Sequence, residues 1–172
     1  MSVASITDAR QYLTFKLDEE VFALDVANVR EILDLAPITK VPQTPEFMRG
    51  VINLRGSVVP VVDMRMKFGM PKSEDTINTC IIVVEVNFDG ELTVLGAMAD
   101  SVQEVFELGP DQIEPAPKIG TSLKADLIKG IGKRDSRFII MLDIDKAFSP
   151  DEISILNDSV DEPLEEGAPS EG

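Results

Sequence analysis

Short runs of branched and aromatic residues recur along the chain, each closed off by turn-forming residues. This is a pattern of strands and hairpins rather than of long helices. Tyr12-Leu13-Thr14-Phe15-Lys16-Leu17 ends at Asp18-Glu19-Glu20, and residues 21–26 supply its hairpin partner. Gly50-Val51-Ile52-Asn53-Leu54 and Ser57-Val58-Val59-Pro60-Val61-Val62 flank the turn Arg55-Gly56. Residues 79–86 and 92–99 flank Asn87-Phe88-Asp89-Gly90, whose Asp-Gly pair favours a hairpin turn. Arg137-Phe138-Ile139-Ile140-Met141-Leu142 closes the set. Pro60 inside a strand predicts an edge or a bulge, because proline has no N–H to donate. Short helices are predicted after Asp63, after Asp143 and over residues 150–157. In the last of these Ile153 and Leu156 share a face, Pro150 suits the first turn, and Asp151 and Glu152 lie near the positive end of the helix dipole.

Two segments repeat one another. Gly50 to Phe68 reads GVINLRGSVVPVVDMRMKF, and Gly130 to Phe148 reads GIGKRDSRFIIMLDIDKAF, aligned without a gap at an offset of 80. Each opens with Gly and a branched apolar residue, passes a charged turn and a strand-type run, and ends in Asp followed five residues later by Phe. Upstream, Val29-Arg30-Glu31-Ile32 matches Val102-Gln103-Glu104-Val105 at an offset of 73. Between these, Ile38-x-x-Val41-Pro42 stands against Ile113-x-x-Ala116-Pro117. The expectation is two similar β-rich subdomains of about five strands each, sharing an apolar interface because each is too small to bury a core alone. The competing explanation is chance recurrence of a strand–turn–strand–helix pattern.

Composition narrows the function. The 172 residues carry a net charge of −15, which disfavours a phosphate backbone as partner. No run of ~18 apolar residues occurs, so no membrane-spanning helix is expected, and residues 1–10 lack the pattern of a secretory signal. There is no His, which removes imidazole base catalysis, His-activated nucleophiles and His-ligated metals. The one Cys, Cys80, lies in the apolar run Thr79-Cys80-Ile81-Ile82-Val83-Val84, so a buried structural thiol is expected. From residue 149 onward there are eight acids and no Lys or Arg. The segment beyond 157 has too few apolar residues to offset its ordering entropy, and is expected to be a disordered acidic tail.

Candidate chemistry is thin. A calcium loop starting at Asp143 would need Gly and Glu where Phe148 and Ser154 stand. Asp63 and Asp143 hold equal places in the repeat, each at a strand end before a helical stretch, and read as helix N-caps. Gly130-x-Gly132 lacks the third glycine and the helix of a dinucleotide fingerprint, and Lys124 and Lys129 read as surface lysines. Arg55 sits at a turn between two apolar strands, a place that suits an interface anchor or a plain turn residue. Alternation in Val29-Arg30-Glu31-Ile32 would put Val29 and Glu31 on one face, which could equally face solvent. Three function classes stand at this point: an interaction module, an enzyme using carboxylates alone, and a small-ligand-binding β-barrel, which would need an enclosed apolar cavity.

Gln11-Tyr12-Leu13-Thr14-Phe15, Val29-Arg30-Glu31-Ile32, Ile38-Thr39-Lys40-Val41-Pro42, and above all Arg49-Gly50-Val51-Ile52-Asn53-Leu54-Arg55-Gly56 with Val59-Pro60-Val61-Val62-Asp63 resemble the CheW family of bacterial chemotaxis coupling proteins. The resemblance covers residues 11–157. It implies a mainly β fold of two SH3-like five-stranded β-barrel subdomains with a few short helices and a C-terminal helix. It also implies no enzymatic activity, no cofactor and no metal. The implied organisation is a flexible stretch over residues 1–10, one domain over 11–157 with halves at about 11–75 and 76–157 between which strands can exchange, and a tail over 158–172. The implied partners are the cytoplasmic tip of methyl-accepting chemoreceptors and the regulatory domain of the chemotaxis histidine kinase. The implied location is the cytoplasm, with recruitment through receptors to arrays at the inner face of the membrane. By position, the receptor would meet Val29, Glu31, Gly50 and Arg55, with Ile32 and Leu54 beside them, in a groove between the barrels. The kinase would meet Ile38 and Val41, with Lys118 and Ile119 at a second, ring-forming contact. Here Glu114 stands where better-known members can carry Arg, and Lys118 where they can carry an acid.

Overall fold

The computed structural model describes residues 10–70, 74–88, 90–115, 128–134, 136–149 and 151–155. The expected tail over 158–172 and the stretch 1–9 lie outside them. Eleven strands run in chain order as β1 (Arg10–Leu17), β2 (Glu20–Asp25), β3 (Val29–Asp34), β4 (Met48–Leu54), β5 (Ser57–Asp63), β6 (Cys80–Phe88), β7 (Glu91–Ala99), β8 (Ser101–Leu108), β9 (Ile113–Glu114), β10 (Ile128–Arg134) and β11 (Arg137–Leu142). Helix α1 (Met64–Lys67) follows β5, a 3-10 turn (Ile144–Lys146) follows β11, and residues 151–155 form a second α-helical segment. The helix predicted over 150–157 is thus seen over 151–155; Pro150 and the last two residues lie outside the described ones.

The strands form a six-stranded sheet, β8-β1-β2-β11-β10-β9, and a five-stranded sheet, β3-β6-β7-β5-β4. The mainly β class matches the expectation. One sheet has six strands rather than five because the two-residue β9 adds to its edge. No strand pairing among the described residues closes either sheet into a ring. Each sheet takes strands from both halves of the chain: hairpin β1–β2 joins β8 to β11, and hairpin β6–β7 joins β3 to β5. Both insertions are sealed by a parallel pair, β2 with β11 (Phe22↔Ile140) and β7 with β5 (Val61↔Gly96).

The repeat is physical down to its irregularities. The β4–β5 ladder breaks register between Met48 and Gly50, and the β10–β11 ladder breaks it between Ile128 and Gly130, each at the offset of the sequence repeat. At both breaks a neighbouring segment crosses the glycine. A Cβ on Gly50 would lie 2.1 Å from the Thr39 carbonyl oxygen, and one on Gly130 would lie 2.8 Å from that of Glu114. Asp63 caps α1, its Oδ1 accepting the N–H groups of Arg65 at 3.0 Å and Met66 at 3.5 Å. Asp143 caps the 3-10 turn through Oδ1 and the Asp145 N–H at 3.2 Å. Both N-cap expectations hold. The edge expectation for Pro60 needs correction: β5 lies inside the sheet, but its pairing with β7 begins only at Val61, so proline's missing N–H removes no β5–β7 bond.

Period-two alternation divides β1, β2, β6 and β7 between two apolar layers. Leu13, Phe15 and Leu17 of β1 and Phe22 and Leu24 of β2 meet Ile82, Val84 and Val86 of β6 and Leu95 of β7 in a layer between the sheets. Phe15 stacks on Phe22 at 5.9 Å between centroids, and Phe22 on Phe68 at 5.6 Å, joining the six-stranded sheet to the end of α1. The outer faces pack separately. Tyr12, Ala23, Phe106, Ile139 and Met141 cluster on one sheet, and Ile52, Val59, Val61, Ile81, Val83 and Met98 on the other. Thr14, buried where β8 bulges against β1, donates its hydroxyl to the Glu104 carbonyl at 2.7 Å and accepts the Glu104 N–H at 3.1 Å. That replaces ladder bonds the bulge removes.

Gly50→Ala should destabilise the fold by about 2 kcal/mol or more, since φ is 144° and the new methyl would meet backbone. Gly56→Ala, at φ 89° with open space around it, should cost about 1 kcal/mol. Urea melts of the two variants compare them directly; equal losses would show that the Thr39 crossing does not constrain Gly50.

Candidate functional site

The hairpin tip between β4 and β5 carries the most exposed candidate. Arg55 has φ 51° and Gly56 φ 89°, the paired positive values of a two-residue turn whose twist suits the strands it joins. Asn53 steadies the turn, its Oδ1 accepting the Gly56 N–H at 2.8 Å. The Arg55 guanidinium then reaches across to β3 and forms an ion pair with the Glu31 carboxylate. Arg30, next to Glu31, pairs through Nε with Glu85 Oε2 at 3.3 Å. Between these pairs lies an open depression of about 400 Å³, floored by Val59 and Val83 and walled by Leu54, Val58, Leu92 and Val94. An apolar floor rimmed by charge suits a side chain that is apolar in the middle and polar at its margin.

The structure divides the proposed receptor-facing residues. Glu31, Leu54 and Arg55 come together on this depression. Val29 and Ile32 do not line it. Val29 pairs with Val84, and Glu31 with Val83, because β3 bulges between them. Val83 and Val84 point to opposite faces, so Val29 and Glu31 do as well, and the sharing of one face expected from alternation is wrong. Val29 packs against the layer between the sheets, and Ile32 pairs with Ile82 on that same side while remaining 45% exposed. Gly50 lies at the far end of β4, buried under Thr39, where it shapes the backbone. The depression holding Arg55 is lined entirely by strands of the five-stranded sheet and the β4–β5 turn, not by a cleft between two barrels. Leu92 and Val94, its wall on β7, were not singled out from sequence. Their signal was the period-two run Leu92, Val94, Gly96, Met98, which continues a buried face outward until Leu92 is 63% exposed.

Ile38 and Val41 share a second, larger depression of about 890 Å³ with Pro42, Pro45, Met48 and Met66. Its rim carries Lys40, Glu46 and Arg49. Arg49 is held by Asp75 at 3.1 Å and Asp63 at 3.5 Å. Lys118 and Ile119 lie outside the described residues. Glu114 pairs with Lys133 across β9 and β10, Oε2 to Nζ 2.6 Å.

A family model for the CheW-like domain matches residues 11–152. The chain belongs to the CheW-like domain family. Within that family it is similar to a chemotaxis protein CheW of Klebsiella aerogenes, 34% identical over 155 residues that make up 90% of this chain and 91% of the relative. A chemotaxis protein CheW of Thermotoga maritima is 32% identical over 139 residues, 79% of this chain and 85% of the relative. Among solved structures, the scaffolding protein TtCheW of Thermoanaerobacter tengcongensis superposes with a TM-score of 0.74 at 34% identity, covering 84% of this chain and 96% of that one. The GVINLRG turn of this CheW-like domain is thus the stretch that builds the charged edge of the first depression.

Cys80 is buried in β6, as expected from its run. Burial raises its pKa above the ordinary thiol value, and the nearby charges of Asp34 and Asp100 push the same way, against a lowering hydrogen bond from the Val102 backbone. The reactive thiolate is therefore scarcer than in a free thiol at any pH below that value. An aromatic disulfide reagent at pH 8 should label Cys80 at the rate of protein opening and promptly in urea; immediate labelling of the native protein would show an open site.

Proposed function

We propose that this chain is a non-enzymatic chemotaxis adaptor that couples the cytoplasmic tips of chemoreceptors to the chemotaxis histidine kinase. It would work in the cytoplasm and be held at the inner face of the membrane through receptor arrays. The observation that carries this reading is the family match across residues 11–152, with named chemotaxis relatives of comparable length. The two open depressions support it, since each offers an apolar floor with fixed charges at its rim.

On this reading the receptor's helical tip lays an apolar side chain over Val59 and Val83. Arg55 and Glu31 give polar register at the rim, with Leu54 and Leu92 as flanking contacts. Val29 and Ile32 meet the receptor from the other side of β3, and Gly50 acts through the backbone it allows. The regulatory domain of the kinase docks at Ile38 and Val41, with Lys118 and Ile119 as the second contact.

Co-sedimentation of the full chain with receptor signalling tips and the kinase, with autophosphorylation read in parallel, tests this. Assembly and a change in kinase activity that depend on the chain support coupling; binding to neither competent partner reopens the ligand-binding β-barrel. Arg55→Glu should weaken receptor binding by about tenfold or more, because an anchoring Arg is lost and a second acid is set beside Glu31. As an exposed turn change it should alter stability by only about 0.5 kcal/mol. The swap Glu31→Arg with Arg55→Glu restores the internal pair. If it also restores receptor affinity, the pair matters as a support; if not, Arg55 touches the receptor itself.

A further inference from the structure

Lys67, the last residue of α1, is held by three side chains from two separate parts of the chain. Its Nζ lies 5.4 Å from the ring centroid of Phe47 and 5.6 Å from that of Phe148, two rings that are 6.2 Å apart. The same nitrogen lies 3.1 Å from Glu152 Oε1 and 3.2 Å from Oε2. The Lys67 side chain is 13% exposed, so these attractions act in a partly desolvated place where they are stronger than at an open surface.

Neither end of this arrangement is loose. Glu152 Oε1 accepts the Ser149 N–H at 2.8 Å, and Ser149 Oγ accepts the Glu152 N–H at 3.2 Å, a reciprocal cap that fixes the start of the 151–155 helix. Ile153 is buried in the layer between the sheets one residue later. On the other side, the Phe47 carbonyl accepts the Asp63 N–H at the end of β5. Glu46 and Met48, either side of Phe47, line the depression that holds Ile38 and Val41, as does Met66, next to Lys67.

The other half of the repeat has no cation at the equivalent place. The repeat places Ala147 at the position equivalent to Lys67, where the buried methyl serves in the other half. The lysine is therefore an addition to one side of a pseudo-symmetric molecule, on the side where the loop leading into β4 shapes a depression.

We propose that Lys67 is a positioning residue that latches the 151–155 helix and the loop around Phe47 to α1, and so sets the shape of the Ile38–Val41 surface for its partner without touching that partner. The inference rests on the reading of that surface as the kinase-facing one. It makes the helix near the C-terminal end a support for kinase binding and leaves the Arg55 depression, on the five-stranded sheet's outer face, outside the latch's influence.

The test compares the full chain with Lys67→Met, Lys67→Arg, Glu152→Gln and the control Ile38→Asp. Each is titrated against the isolated regulatory domain of the chemotaxis kinase and against receptor signalling tips. Lys67→Met should weaken kinase binding about fivefold to tenfold and leave receptor affinity within about twofold, and Lys67→Arg should recover most of the loss. Glu152→Gln should weaken kinase binding in the same direction, and its effect should shrink when Lys67→Met is already present. Glu152→Gln keeps an acceptor for the cap, so it carries the test should Lys67→Met fold poorly. Kinase affinity unchanged in the latch variants, while Ile38→Asp loses binding, overturns the latch and leaves the surface assignment standing. Equal losses toward both partners also overturn it, since they mark a merely structural role. Ile38→Asp without effect on the kinase overturns the surface assignment and the latch's role with it.

Discussion

Neither sheet of this molecule can bury both of its faces by itself, and the apolar layer they share is what holds the rest in place. Leu13, Phe15, Phe22 and Leu24 press against Ile82, Val84, Val86 and Leu95, and Phe22 extends the contact by stacking on Phe68. Truncating a buried Phe of this kind to Ala typically costs about 3–5 kcal/mol, a large share of a domain's net stability. The layer also dictates the strand composition. β1, β2, β6 and β7 each carry apolar residues on both sides, because each is buried between the shared layer and the cluster on its own sheet's outer face. The run Ile81-Ile82-Val83-Val84 is continuously apolar for that reason.

The fixed charges lie outside this layer. The rims of both depressions reach a turn, an edge strand or a loop, and carry a polar group fixed by a neighbour. Arg55 is pinned by a left-handed turn and by Glu31, Arg49 by Asp63 and Asp75, and Lys67 by two rings and Glu152. A charge held in one orientation before a partner arrives loses little freedom on binding, which favours specificity over bulk affinity. This CheW-like domain presents two different charged rims while its two halves keep equivalent register breaks and N-caps.

Much of this was legible in the sequence, for identifiable reasons. The β4–β5 hairpin, the two N-capping aspartates and the repeat at residues 50–68 and 130–148 follow from local rules of turn chemistry and alternation. β3 and β8 were harder to see as strands. Each forms an edge, with burial that alternates or fades into solvent, so their hydrophobic period is diluted by Arg30, Asp34, Gln103, Glu104 and Glu107. The side of the sheet that Val29 takes could not be read at all, because a one-residue bulge reverses it and no residue type announces the bulge. The same limit applies to Lys67. Its partners lie 20 residues behind and 81 and 85 ahead in sequence, and only the packing of α1 against both segments brings them together.

The exchange of hairpins has a consequence for how the chain can be taken apart. A cut in the connection between β5 and β6 would send each fragment off with a hairpin whose seat remains on the other: β1–β2 would leave β8 and β11, and β6–β7 would leave β3 and β5. Each fragment would carry both a vacant slot and the insert that fits its companion's slot. Two such pieces mixed together are interlocking parts of one object, so the molecule is built as a clasp, and its natural seam is not the point at which the repeat begins again.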